Sequence, residues 1–136
     1  PLERNGQTIF IAGIDDPNGY ADQTTPEELA AKLYSQQEDP FWLLLAHRNT
    51  FFNGRYCRLG ADLTFCGHAH GGMIRIPGIG GLYTPDQGFL PTLTEGLHQI
   101  GDTSLIISRG LGDGKGTPVP RINNPPELVI VDINWF

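Results

Sequence analysis

The run Cys66-Gly67-His68-Ala69-His70-Gly71-Gly72 constrains this chain most, because it closes an apolar strand with two histidines fenced by glycines. The residues before it, Ala61-Asp62-Leu63-Thr64-Phe65-Cys66, read as a buried strand. Two of the chain's four histidines therefore stand just past a strand's carboxyl end, where α/β proteins place their chemistry. Imidazole is the commonest protein ligand for transition metals, and glycine lets the backbone come close to a shared ion. A second apolar run, Phe41-Trp42-Leu43-Leu44-Leu45-Ala46, ends in His47 and Arg48. Two strand ends that each deliver an imidazole read as one convergent metal site.

The rest of the chain punctuates in the same way. Gln7 to Ile14 is apolar and β-rich and leads into Asp15-Asp16. Thr25-Pro26-Glu27-Glu28 predicts a helix start, with a capping Thr, a Pro at the first helical position and a Glu three residues after the Thr. Leu29, Ala30, Leu33 and Tyr34 give that helix an apolar stripe, and it should end before Pro40. The segment with Phe51, Phe52 and Tyr56 is helix-like or irregular. Met73 to Pro77 alternates as a half-buried strand does, and Gly78 to Gly96 should be irregular. Ser104 to Ser108 and Glu127 to Ile133 are predicted as two further strands, the last of continuous apolar character. Such runs suit a sheet covered on both faces. The expected class is layered α/β.

Length and charge set the outer bounds. At 136 residues the chain is one domain's worth, with 39% hydrophobic and 18% charged residues and a net charge of −6. That acidity argues against a nucleic-acid surface, which is normally basic. It leaves phosphorylated substrates open, because bound dications invert the local field. Eighteen glycines and eleven prolines imply many loops and tight turns. No apolar run approaches the roughly 20 residues of a membrane-spanning helix, so no span is expected in this chain. Cys57 and Cys66 lack a Cys-x-x-Cys spacing and are expected as free thiols. The chain begins with Pro1 rather than Met, which suggests that it is cut from something longer. Its localisation is left open.

Taken together, Leu44-Leu45-Ala46-His47, Asp62 to Gly72, Ser108-Arg109-Gly110-Leu111-Gly112 and Pro120 to Leu128 resemble a bacterial subgroup of the calcineurin-like metallophosphoesterases. The resemblance covers nearly the whole chain from Gly13 onward. It implies a four-layer αββα sandwich with a dinuclear metal centre that hydrolyses a phosphomonoester or phosphodiester. It also implies that His47 and His68 share one ion while His70 binds its neighbour. The two divalent ions would be Mn, Fe, Zn or Mg, and together they would clamp a phosphorylated substrate and supply the attacking hydroxide. The family's Asp-x-His, Gly-Asp-x-x-Asp and Asn-His blocks do not occur here. Residues 1–136 thus resemble only the carboxyl-terminal half of such a domain. On that reading the catalytic acid lies in the other half, and the isolated chain is expected to be inactive. The open face of its half-sandwich would be covered by the missing half or by a second copy.

Alternatives compete at several positions. Cys66, His68 and His70 would share one face of an ideal strand, which allows a mononuclear metal-binding or structural module. Arg109 follows a strand end and could meet a phosphate as a fork donor, or form a structural ion pair. Arg48 is similarly open, and Asp15-Asp16 could face the cleft or be solvated. His98 reads as a surface histidine. The loop Gly110 to Gly114 carries little weight as a phosphate cradle, because no helix start follows it.

Overall fold

The computed structural model describes residues 1–20, 23–84, 86–113 and 119–134. The first half runs β1 (Leu2–Arg4), β2 (Gln7–Gly13), α1 (Pro26–Gln36), β3 (Trp42–Leu45) and β4 (Leu63–Cys66). Four two-residue strands follow, β5 (Arg75–Ile76), β6 (Gly80–Gly81), β7 (Tyr83–Thr84) and β8 (Gly88–Phe89). The series closes with β9 (Gly96–Ile100) and β10 (Thr103–Ile107). Six strands make one sheet in the order β1-β2-β3-β4-β10-β9. Within it β2, β3, β4 and β10 are mutually parallel, and β1 and β9 pair antiparallel at the two edges. The short strands form two hairpins, β5 with β6 and β7 with β8.

Parallel neighbours need a crossover, and α1 supplies the one between β2 and β3. The helix begins where the sequence placed it. Thr25 accepts from the Glu28 amide at 3.2 Å while the Glu28 carboxylate accepts from the Thr25 amide at 2.8 Å, a reciprocal capping box. Its buried Ala30 and Leu33 press into a cluster that includes Trp42, Leu44, Phe52, Tyr56, Leu105 and Ile107. Each large apolar side chain buried there contributes about 1.5–3 kcal/mol relative to exposure. The segment after β3 resolves into two 3₁₀ turns, Asn49–Phe51 and Tyr56–Arg58.

The opposite sheet face is only partly covered. Ile9, Leu43, Leu63 and Ile106 are buried beneath Phe41, Phe65, Val131 and Ile133. Ile11 and Leu45 on the inner strands are each left 46% exposed. Here the strand expected over Glu127 to Ile133 is corrected: these residues join no ladder. β10 already has β4 on one side and β9 on the other, so the segment cannot pair with it, and Val131 and Ile133 lie on the sheet face instead. The strand expected over Met73 to Pro77 shrinks to β5, since Met73 takes a left-handed φ of 51°. β9 was not expected, because Glu95 to Gly101 is polar. Its signal was the Gly101-Asp102 turn before a strong strand, which makes a hairpin with β10.

The observed class is mixed α/β, with one sheet of six strands and a helix on one face. Among the described residues no helix is long and apolar enough to cross a membrane. The last glycine of the Gly110 to Gly114 loop lies outside the described residues.

Candidate metal centre

Because the four inner strands run the same way, Asp16, His47, His68 and Ser108 all emerge at one edge of the sheet. The exits of β3 and β4 are tied together by the His47 carbonyl, which accepts from the Gly67 amide at 3.2 Å and the His68 amide at 3.0 Å. That pair of bonds sets the imidazoles edge to face, with centroids 4.8 Å apart and planes at 70°. His47 Nε2 then lies 3.0 Å from His68 Nδ1. Asp16 reaches in from beyond β2, with Oδ2 3.8 Å from His47 Nε2. Arg48 spans the cluster, donating from Nε to Asp16 Oδ1 at 3.1 Å and from Nη1 to Asp86 Oδ2 at 2.7 Å. An open cleft of about 490 Å³ adjoins it, lined by His47, Gly67, Ser108 and apolar residues of the neighbouring strands.

The second histidine sits on a turn of unusual backbone. His70, Gly71, Gly72 and Met73 have φ of 48°, 69°, 79° and 51°, four left-handed residues in a row. For His70 and Met73 that conformation costs of order 1–3 kcal/mol each, so the surroundings must hold it. The carbonyls do the holding. Asn124 Nδ2 donates to His70 O at 2.7 Å and to Met73 O at 3.0 Å, Arg121 adds a 3.3 Å bond to His70 O, and Arg75 donates to Gly71 O at 3.1 Å. Gly72 is packed so closely that a Cβ there would stand 2.6 Å from Gly81 Cα.

The electrostatics favour neutral imidazoles. Burial lowers the pKa of His68, against the opposing pull of Asp86. Burial also lowers that of His70, assisted by the positive charge of Arg121. The Asn18 amide and the Arg48 guanidinium hold the Asp16 carboxyl below its ordinary value. Neutral imidazoles offer lone pairs to a cation. Two nitrogen ligands on one tetrahedral zinc would stand roughly 3.3 Å apart for bonds near 2.0–2.1 Å, so the His47–His68 spacing suits two corners of one coordination sphere. Among the described residues, no three His, Cys, Asp or Glu side chains group closely enough to hold an ion by themselves. The fit is that of a partial ligand set.

Cys66 does not join the cluster. Its side chain belongs to the apolar core beneath α1, and burial pushes the thiol up to about 12. This corrects the reading of Cys66, His68 and His70 as a mononuclear set, since the chain leaves β4 at Gly67 and turns instead of continuing as a strand. Arg109 stands beside the turn, its Cγ 2.8 Å from where a Gly71 Cβ would be. Its guanidinium is paired with Glu95 at 3.2 Å and Glu127 at 3.2 Å, so a phosphate would have to compete with two carboxylates for it. Asp15 is exposed, and His98 lies in β9 against the Glu95 carbonyl at 2.8 Å. The sequence reading missed Asp86, Arg121 and Asn124. No local pattern marks them, because each acts across at least 18 residues of chain on a partner that only the fold brings near.

No family model and no solved structure matches the chain. Curated proteins do. An uncharacterized metallophosphoesterase, YkuE of Bacillus subtilis strain 168, is 43% identical over 110 residues, which is 79% of this chain and 35% of the relative. The phosphodiesterase YaeI of Escherichia coli K12 is 32% identical over 72 residues, 53% of this chain and 25% of the relative. An uncharacterized metallophosphoesterase of Aquifex aeolicus is 30% identical over 130 residues, 92% of this chain and 45% of the relative. The chain belongs to the calcineurin-like metallophosphoesterase superfamily. It spans between a quarter and a half of the length of these relatives.

Proposed function

We propose that this chain is the carboxyl-terminal part of a phosphoesterase domain of four-layer αββα type, and that the whole domain hydrolyses a phosphomonoester or phosphodiester with divalent metal ions. The observation that carries the reading is the approach of His47 Nε2 to His68 Nδ1 at 3.0 Å, at the carboxyl ends of adjacent parallel strands. His47 and His68 would hold one ion and His70 a second. Bound there, a pair of dications supplies a nucleophile from water near neutral pH and clamps phosphate oxygens.

The chain's own residues provide the rest. The His47 carbonyl fixes the spacing of two ligands, the Asn124 clamp presents His70, and burial keeps His68 and His70 deprotonated. Arg48 places a positive charge beside the cluster, where it offsets Asp16 and Asp86. The carboxylates and the leaving-group acid would come from the remainder of the domain, so the 136-residue chain alone would have little or no activity. The half-exposed Ile11 and Leu45 fit a face that this remainder covers.

The test uses the full-length protein, assayed on p-nitrophenyl phosphate and bis-p-nitrophenyl phosphate before and after chelation. Activity should vanish on chelation, return with a divalent metal, and fall at least about 100-fold in His47→Ala and His68→Ala, more than loss of an outer-shell partner costs. Metal-independent turnover, or full activity in both variants, would overturn the reading.

A further inference from the structure

We infer that Arg48 sets the affinity of the metal centre: with no ion bound, its guanidinium takes the acceptors around the His47–His68 pair, and a dication must compete with it. The inference rests on the proposed sharing of an ion by His47 and His68. Arg48 leaves β3 directly after His47, and its side chain is only 14% exposed. A guanidinium has hydrogens to give and no lone pair to offer. Its Nε donates to Asp16 Oδ1 at 3.1 Å and Oδ2 at 3.2 Å. Its Nη1 donates to Asp86 Oδ2 at 2.7 Å and to His68 Nε2 at 3.3 Å. Asp86 Oδ2 also lies 2.9 Å from that nitrogen, two acceptors kept side by side by the one donor they share. With Nε2 accepting, the hydrogen of the neutral His68 ring is on Nδ1, 3.0 Å from His47 Nε2. An ion between the two rings needs the Nδ1 lone pair, which is free only when that hydrogen sits on Nε2 and the bond from Arg48 is broken.

The acceptors do not depend on Arg48 for their places. The Asp16 carbonyl accepts from the Gly19 amide at 2.7 Å and from Gln23 Nε2 at 3.0 Å, and Asp16 Oδ1 accepts from the Asn18 amide at 2.9 Å. On the other side Thr84, 1% exposed, accepts from the Gln87 amide at 3.2 Å. Gln87 exchanges two bonds with the Leu93 backbone, at 2.8 and 3.2 Å, and so fixes the turn that carries Asp86. The fully buried Asn49, next to Arg48, donates to the same Leu93 carbonyl at 2.8 Å. Removing the guanidinium therefore leaves two anchored carboxylates facing the histidine pair with no cation beside them, which favours a bound dication.

The test is a Co²⁺ titration of the metal-free full-length protein, comparing Arg48→Met, Arg48→Gln, Arg48→Lys and His68→Ala with the parent. It is paired with ¹H–¹⁵N spectra of the arginine Nε–H groups as Zn²⁺ is added, the Arg48 signal being assigned by its loss in Arg48→Lys. Even at the dielectric of water, a unit charge roughly 5 Å from a dication opposes its binding about 10-fold. Arg48→Met and Arg48→Gln should therefore bind Co²⁺ about 10-fold tighter than the parent. Arg48→Lys, which keeps the charge, should stay close to the parent, and the Arg48 Nε–H signal should shift as Zn²⁺ binds. If Co²⁺ affinity does not depend on His68, the shared-ion reading fails and the inference with it. If affinity depends on His68 but the two neutral variants bind no tighter than the parent, the role of Arg48 alone is overturned. An Arg48→Met variant that does not fold leaves Arg48→Gln and the parent's arginine signal to decide, and a signal unmoved by Zn²⁺ overturns the inference.

Discussion

Asn124 donates one side-chain amide to two carbonyls of the left-handed turn, His70 at 2.7 Å and Met73 at 3.0 Å, across more than fifty residues of chain. Its side chain is almost wholly buried, so water cannot replace those bonds. Arg121 still reaches His70 O, and the Ile122 amide still reaches Met73 O at 3.2 Å, so neither carbonyl is fully orphaned by truncation. Asn124→Ala should therefore cost about 1–3 kcal/mol, read as a lower urea midpoint at unchanged slope. Asn124→Asp should cost more, because it turns an acceptor toward two acceptors. An aspartate variant as stable as the parent would remove the clamp from the argument.

Glycine matters at two places in the motif for different reasons. Gly72 has a φ of 79° and no room, since a Cβ would meet the Gly81 backbone at 2.6 Å. Gly72→Ala should lose about 2 kcal/mol or more from left-handed strain and forced backbone movement. Gly67, in the same seven residues, has nothing within 4 Å of its would-be Cβ and no positive φ. Gly67→Ala should stay within about 0.5 kcal/mol of the parent. Equal losses in thermal melts of the two variants would contradict the packing described around Gly72.

The strand runs and the helix start were legible because each rests on a local rule. Apolar runs of four to seven residues became β2, β3, β4 and β10, and the Thr25-to-Glu28 spacing became a capping box. The approach of His47 to His68 followed from a histidine just past each strand, once the strands are parallel and adjacent. What the sequence hid is long-range. Glu127 to Ile133 has strand composition but joins no ladder and packs Val131 and Ile133 on the sheet face, and β9 has polar composition but a partner waiting across a tight turn. Asp86 and Asn124 are ordinary loop residues until the fold carries them to His68 and His70.

Acid should weaken the link between α1 and the segment that follows β3. Glu27 and Arg55 form a forked pair at 2.7 and 2.6 Å, and the guanidinium lowers the Glu27 carboxyl from 4.5 to about 2. The folded value lies below the unfolded one, so the stabilisation is fully present above pH 4.5 and is lost as pH falls through about 2. Both side chains are substantially exposed, at 55% and 39%, so solvent limits the pair to about 1 kcal/mol or less. The stability difference between the parent and Glu27→Gln should be largest near neutral pH and close by pH 2. A difference that is constant from neutral pH down to pH 2 would assign the pair no electrostatic role.

The two cysteines should separate cleanly by reactivity. Cys57 is partly exposed, with its thiol donating to the Asn53 carbonyl at 3.2 Å. Cys66 lies in the core under α1, and burial pushes its thiol up to about 12, so almost no thiolate exists there at neutral pH. Since the thiolate is the nucleophile and the metal ligand, an aromatic disulfide reagent should label Cys57 within minutes and reach Cys66 only on unfolding. Co²⁺ should leave the Cys66 rate unchanged and produce no intense thiolate charge-transfer band. Rapid labelling of Cys66 that metal then blocks would bring the thiol into the metal centre and restore the Cys66, His68 and His70 set over the shared His47–His68 site.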